Sequence, residues 1–213
     1  MFKDRKEAGQ KLARALKKYR NKKVLVLAIP RGGVDVAYEV AKYLNSEFSL
    51  LIARKLPYPD NPEAGFGAIA EDGSTFIFEF AKQELSREMI EEIKKGQKEE
   101  IKRRIKILRK NKKLPSMKGK IIILIDDGLA MGSTMRAAIL MCKKKKPAKL
   151  VVAVPVSGRN VAKEISKEID ELIILEKPEF FEAVAQVYQN WYDVSDAEVL
   201  EIMKRWAERK QIT

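Results

Sequence analysis

Apolar residues gather into six short runs along the chain, at 24–29, 48–53, 74–80, 121–125, 150–154 and 171–175. Several are nearly continuous in Val, Ile and Leu, the pattern of strands covered on both faces of a parallel sheet. Around them apolar positions recur at helical spacing over residues 3–19, 34–44, 87–110, 134–144, 161–167, 180–188 and 195–210. Strand–helix–strand alternation predicts an α/β fold, an open and mostly parallel sheet flanked by helices with right-handed crossovers. Two stretches break the rhythm. Residues 55–73 carry Pro57, Pro59 and Pro62 among Gly and Asn, and read as one long loop, a length that in compact domains is usually functional. Residues 86–113 read as a very polar helical insert over one sheet edge; its Glu–Lys spacings suit exposed helical pairs, and no chemistry is assigned to it. With no internal repeat and no disordered linker, residues 1–213 are taken as a single domain.

Composition narrows the chemistry. The chain has 213 residues, 46% of them hydrophobic, enough for a substantial core. No stretch approaches the ~18 uncharged apolar residues of a membrane span, and the charged start MFKDRKEAGQKLARALKKYR lacks the apolar segment of a secretory signal. The lone Cys142 allows no internal disulfide and fits a reducing cytoplasm. With no His, the chain has no Ser-His-Asp or Cys-His catalysis, no His-zinc site and no histidine proton shuttle. Lys plus Arg number 43 against 30 Asp plus Glu, a formal charge of +13. That balance fits nucleic-acid binding, phosphate ligands, or the ion-pair-rich surface of a thermophile protein. The basic residues are spread along the chain, which favours a solvated surface. The densest run, Lys143 to Lys146, falls where a helix ends before Pro147, and there cations complement the helix dipole.

The most informative segment is KIIILIDDGLAMGSTMRAA, residues 120–138. An apolar strand ends in Asp126 and Asp127, and Gly128, Leu129, Ala130, Met131, Gly132, Ser133 and Thr134 then lead into a helix. The carboxyl end of a parallel strand is the ligand edge of such a sheet. Backbone N–H groups of the turn, the helix dipole and the two hydroxyls can hold a phosphate there. The carboxylates repel that phosphate and must face something else, either the hydroxyls of an attached ribose or a cation. A second strand-to-helix junction reads Ala28-Ile29-Pro30-Arg31-Gly32-Gly33, where two glycines let the backbone approach an anion closely. No G-x-x-x-x-G-K-[ST] and no G-x-G-x-x-G after a strand is present.

This arrangement resembles the type I phosphoribosyltransferases, and within them the group of bacterial and archaeal predicted phosphoribosyltransferases whose base substrate is unassigned. The resemblance covers nearly the whole chain and implies their Rossmann-like sheet. It implies that Asp126 and Asp127 bind the ribose 2′- and 3′-hydroxyls of phosphoribosyl pyrophosphate while Ala130 through Thr134 wrap its 5′-phosphate. Relatives commonly carry Thr where this chain has Met131, so one hydroxyl contact is missing and weaker binding is expected. Ala130 stands where 6-oxopurine enzymes place an Asp on the purine N7, which speaks against hypoxanthine or guanine salvage. Arg31, Gly32 and Gly33 match the pyrophosphate loop, with a cis peptide expected at Arg31–Gly32. Arg54 and Lys55, at the end of the second strand, take the role of neutralising the departing pyrophosphate, with Asp127 the third member of the catalytic set.

By the same resemblance the long loop is a lid with hinges at Gly65 and Gly67, and Glu63, Glu71 and Asp72 are candidates for substrate or Mg²⁺ contacts. Residues from about 176 to 213 form a hood and a C-terminal helix. VPVSGRN lines the base side, and Phe180, Phe181, Tyr188, Trp191 and Tyr192 are possible stacking surfaces, of which Tyr188, Trp191 and Tyr192 are taken as the base contacts. The implied enzyme is a cytoplasmic homodimer that moves a phosphoribosyl group from phosphoribosyl pyrophosphate to a nitrogenous base. Mg²⁺ is its cofactor, carried mainly by the substrate. Membrane and nucleic-acid partners are not expected. The second reading is a regulator that senses phosphoribosyl pyrophosphate or a nucleotide and binds nucleic acid; the basic balance permits it, but no helix-turn-helix or RNA-binding motif supports it. A hydrolase or a non-base acceptor is the third.

Overall fold

The structure, a computed structural model, describes residues 1–209. Five parallel strands form the central sheet in the order β2–β1–β6–β7–β8. They are β1 (Val24–Ala28), β2 (Glu47–Leu50), β6 (Ile121–Ile125), β7 (Lys149–Val156) and β8 (Glu171–Glu176). Three antiparallel strands, β3 (Ala53–Pro57), β4 (Gly65–Ala70) and β5 (Thr75–Ile77), form a second sheet. The helices are α1 (Arg5–Ala15), α2 (Gly33–Leu44), the single turn α3 (Ala81–Glu84), α4 (Arg87–Arg109), α5 (Ser133–Lys144), α6 (Arg159–Ser166) and α7 (Asp196–Arg209).

The continuous apolar runs are explained by burial on both faces. Val24, Val26, Ala28, Ile123 and Ile125 join one core with α1, α2, α7 and the buried stripe of α4. Leu25, Leu27, Ile122 and Leu124 join another with α5, Ile165 of α6, and the alanines of β3 and β4. Successive side chains of a strand point to opposite faces, so both sets must be apolar. Each fully buried Leu, Ile or Val contributes about 1.5–3 kcal/mol. No described helix is long and apolar enough to cross a membrane.

From β1 the chain runs outward through α2 to β2, and from the adjacent β6 it runs the other way to β7 and β8. The carboxyl ends of β1 and β6 therefore flank a topological switch point, where open α/β sheets bind ligands. The two loops singled out by sequence leave from these two ends.

Several expectations fall to the structure. The loop expected at 55–73 is mostly the paired strands β3 and β4 with the turn between them, the strand expected at 74–80 is the shorter β5, and the run at 48–53 splits between β2 and β3. Gly65 and Gly67 are not hinges: a Cβ at 65 would sit 2.4 Å from Lys55 Cγ, and one at 67 would sit 2.3 Å from Phe76 O. They are the close-approach positions of paired strands, while Pro59 and Pro62 lie in the turn between β3 and β4. The helix expected at 180–188 is only the 3-10 turn Val184–Val187. Backbone there pairs with the N-terminus instead: Phe2 N–H donates to Val187 O at 2.7 Å, and Gln189 N–H donates to Phe2 O at 2.8 Å. Helix α4 rests on β3, β4 and α7 and meets the edge strand β2 at its last residue, where Arg109 Nη1 donates to Leu50 O at 3.0 Å. It starts where Ser86 Oγ accepts from Met89 N–H and ends at Lys110 in the left-handed conformation, φ 51°. Helix α1 stops at Ala15 and is followed by a 3-10 turn, Lys17–Tyr19. Lys210, the expected end of the last helix, lies outside the described residues.

Candidate functional site

The loops after β1 and β6 lock together edge to edge. Ile29 N–H donates to Ile125 O at 2.9 Å. A Cβ on Gly32 would stand 1.9 Å from Asp127 Oδ2, and one on Gly33 would stand 2.8 Å from Asp126 Cα. Only glycine lets the two loops approach this closely. The cis peptide lies at Pro30–Arg31, one bond earlier than expected. The Arg31–Gly32 bond already belongs to the start of α2: Gly32 has helical angles (φ −59°, ψ −36°) and Arg31 O accepts from Val34 N–H at 3.1 Å.

Asp126 and Asp127 sit between the loops with different partners. Asp127 Oδ2 accepts from Arg5 Nε at 2.9 Å, and the Arg5 Nη1 donates to Tyr192 O at 2.8 Å. The Arg5 guanidinium also lies 4.0 Å from the Trp191 ring centroid, a cation–π contact. Tyr188 Oη donates to Asp127 O at 2.7 Å, fixing the backbone of the acidic pair. Asp126 Oδ1 accepts from Asp127 N–H at 2.9 Å. Burial, then the adjacent Asp127 charge, pushes the Asp126 carboxyl well above the usual range. Burial raises Asp127 too, against the opposing pull of Arg5.

Two cavities open on either side of this pair. The first, of about 280 Å³, is lined by residues 128–135 with Asp126, Lys55, Glu63, Gly65 and Val184. Its floor is the start of α5, where Gly132 takes φ 73° and Ser133 and Thr134 open the helix, presenting backbone donors to an anion. The second, of about 370 Å³, is lined by Arg5, Pro30, Arg31, Gly32, Arg54, Arg104, Asp127, Val184, Trp191, Asp193 and Val194. It holds four guanidinium groups. Lys55 and Arg54, expected to act together, are adjacent in β3 and so point to opposite sides: Arg54 enters the guanidinium cavity and Lys55 the helix-start cavity. Lys55 Nζ donates to Glu63 O at 2.5 Å.

The structure thus brings together Asp126, Asp127, residues 128–134, Arg31, Gly32 and Arg54, with Gly33 packed behind them. Of the aromatic candidates, Trp191 lines the guanidinium cavity and Tyr192 is half exposed. Tyr188 is buried with its ring against Phe2 and Trp191, which makes it a support rather than an open stacking face. Glu71 is turned inward to Arg109. Arg5 and Arg104 were missed by sequence reasoning. The signal for both was a charge on an apolar helical stripe: Arg5 shares the buried face of α1 with Ala8, Gly9, Leu12 and Ala13, and Arg104 that of α4 with Ile101 and Leu108.

A magnesium ion arriving on a diphosphate keeps several waters and needs few protein oxygens. Among the described residues no three His, Cys, Asp or Glu side chains converge as a ligand cage. The acidic pair beside a cationic cavity fits a substrate-borne ion.

The family model described as the phosphoribosyl transferase domain matches residues 2–190. Two Mycobacterium tuberculosis proteins, from strains CDC 1551 and H37Rv and both provisionally named phosphoribosyl transferases, are each 36% identical over 207 residues. The match covers 96% of this chain and 47% of theirs, so the chain spans about half the length of these relatives. The crystal structure of TT1426 from Thermus thermophilus superposes with a TM-score of 0.81 at 33% identity, covering 96% of this chain and 98% of that one. The interlocked loops at the switch point, the match along 2–190 and this shared fold lead to one conclusion: the chain belongs to the phosphoribosyl transferase domain family.

Proposed function

We propose that the chain, as a cytoplasmic homodimer with Mg²⁺, transfers the 5-phosphoribosyl group from phosphoribosyl pyrophosphate to a nitrogen of a nucleobase-like acceptor and releases pyrophosphate. The observation that carries this reading is the division of the site by Asp126 and Asp127 into a helix-start cradle and a guanidinium cavity. A ligand with a phosphate at one end, a diol in the middle and a diphosphate at the other complements those three features in order. In this reading the backbone of residues 128–134, the Ser133 and Thr134 hydroxyls and the Lys55 ammonium hold the 5′-phosphate. The Asp126 and Asp127 carboxylates accept from the ribose hydroxyls.

The reaction breaks the bond from C1 to the diphosphate oxygen and forms one from C1 to the acceptor nitrogen. The electron pair leaves with the diphosphate, where Arg31 and Arg54 meet the developing charge, a preorganised stabilisation. Mg²⁺ carried in by the substrate would lie nearest the Asp126 and Asp127 carboxyls and would supply further charge neutralisation at the leaving group. In this reading Trp191 and Tyr192 supply the stacking surfaces for the acceptor, with the Tyr188 ring supporting Trp191. The test is pyrophosphate release from phosphoribosyl pyrophosphate and Mg²⁺ against a panel of purine, pyrimidine and pyridine bases. Release that depends on one base supports the reading. Release at the same rate with every base and with none makes the chain a hydrolase and contradicts it.

A further inference from the structure

Helix α4 reads in sequence as a solvated face, yet its Arg104 lines the guanidinium cavity and its Gln97 bonds Arg54 of that lining. Gln97, Glu100 and Arg104 are spaced three and four apart and so share one side of the helix. Gln97 Oε1 accepts from Arg54 Nε at 3.1 Å, and Glu100 Oε1 accepts from Arg104 Nε at 3.0 Å. Glu100 also takes two bonds from Arg103, at 2.7 and 2.8 Å. Arg104 is only 8% exposed, and it lines the cavity beside Arg31 and Arg54.

The charges of this cavity are matched unevenly: Arg104 has the Glu100 carboxylate behind it, whereas Arg54 has no carboxylate bonded to it. Its lining holds Arg5, Arg31, Arg54 and Arg104 against Asp127 and Asp193. Asp127 is engaged by Arg5. Asp196 is shared between Arg31 and Arg103, at 3.6 Å from each. Arg54 has the neutral Gln97 as its hydrogen-bond partner. Burial, then the neighbouring Arg104 charge, presses the Arg54 pKa down, with the Glu100 carboxylate opposing. A buried guanidinium is costly unless something offsets its desolvation. A multiply charged oxyanion with oxygens for two forks at once does so.

We propose that Arg104, carried into the site by α4, binds the diphosphate of phosphoribosyl pyrophosphate together with Arg54, while Gln97 and Glu100 orient the two guanidinium groups. The proposal rests on the reading of the preceding section and adds a residue from outside the loops that define it. The leaving-group site is then built from β3 and the polar insert as well as from the loop after β1.

The experiment is calorimetric titration of the full chain with three probes: magnesium pyrophosphate, phosphoribosyl pyrophosphate with Mg²⁺, and ribose 5-phosphate. It compares wild type with Arg104→Gln and with Arg104→Met, which keeps the buried stem without the charge, and records the melting temperature of each. The expected result is a loss of at least tenfold in affinity for both diphosphate probes, with ribose 5-phosphate within twofold of wild type. Should Arg104→Gln fail to fold, Arg104→Met decides by the same comparison. Unchanged pyrophosphate affinity in the variants overturns the proposal and leaves the transferase reading standing. An equal loss for all three probes marks Arg104 as structural and also overturns it. A wild type that binds neither diphosphate probe overturns both.

Discussion

Met131 stands in the proposed phosphate cradle where the family resemblance leads one to expect Thr, and its side chain is 51% exposed on the rim of the helix-start cavity. Nothing in the fold depends on it, so its substitution isolates the ligand contact. Met131→Thr adds a hydroxyl where a phosphate oxygen would lie, worth about 1 kcal/mol, or roughly a three- to tenfold gain in ribose 5-phosphate affinity. Calorimetry with ribose 5-phosphate checks this, and an unchanged affinity would show that the backbone donors already satisfy the phosphate. At this scale the sequence was legible wherever the candidate site is built from consecutive residues. Asp126 through Thr134 and Arg31 through Gly33 are each one loop, and each loop announces itself by acid, glycine and hydroxyl or by arginine and paired glycines. Arg5 and Arg104 come from helices far away in the chain and reach the site only through packing. What could have revealed them is a guanidinium in a stripe otherwise reserved for Ala, Leu and Ile.

Elements hold the site in place, and α4 shows how. Its last turn is tied down by Arg109, whose Nη1 donates to Glu71 at 2.8 and 2.9 Å and to Leu50 O at 3.0 Å. Glu71 Oε2 also accepts from Ile52 N–H at 3.1 Å, so one buried pair joins α4 to the link between β2 and β3. Burial pushes the Glu71 carboxyl up, and Arg109 opposes that push. Arg109→Met strands the carboxylate and is expected to cost about 3–5 kcal/mol, measured by urea denaturation. Adding Glu71→Gln, which keeps the acceptor for Ile52 without the charge, recovers most of the loss; an equal loss in both variants contradicts this role.

At the other end of the stripe, the Arg103 guanidinium, with Arg104, holds the Glu100 carboxyl at about 2, below its ordinary 4.5. A lowered carboxylate stabilises the fold fully above the ordinary value and loses that contribution as pH falls toward the lowered one. Between pH 4.5 and 2 the wild type should therefore lose stability more steeply than Glu100→Gln; superimposable pH profiles would count against it. Among elements, the parallel strands were readable because burial on both faces forces unbroken apolar runs. The β3–β4 hairpin was not, because its glycines and prolines mimic a loop, and the glycines are there to admit a lysine stem and a backbone carbonyl. The region around residues 180–188 misled for another reason: its backbone donors and acceptors are taken up in part by Phe2, a tertiary pairing that local spacing does not carry.

At the scale of the whole molecule, two loops remote in sequence become one site because β1 and β6 are neighbours from which the chain departs in opposite directions. The formal charge of +13 sits beside many local pairs, among them Lys94 with Glu91, Lys102 with Glu99 and Lys167 with Glu164, all at i, i+3. In the guanidinium cavity four arginines gather, and Arg54 among them is bonded to the neutral Gln97 rather than to a carboxylate. The cavity, with Arg54 bonded only to a neutral amide, suits a small anion. One ligand is expected to span both cavities across the Asp126–Asp127 divide, and on this the whole functional reading turns. Calorimetric titration of phosphoribosyl pyrophosphate with Mg²⁺, repeated in the presence of ribose 5-phosphate and, separately, of pyrophosphate, tests it without reference to the acceptor. The expected result is one site per chain, with each fragment alone competing against the whole ligand. Absence of binding, or binding that neither fragment weakens, would contradict it.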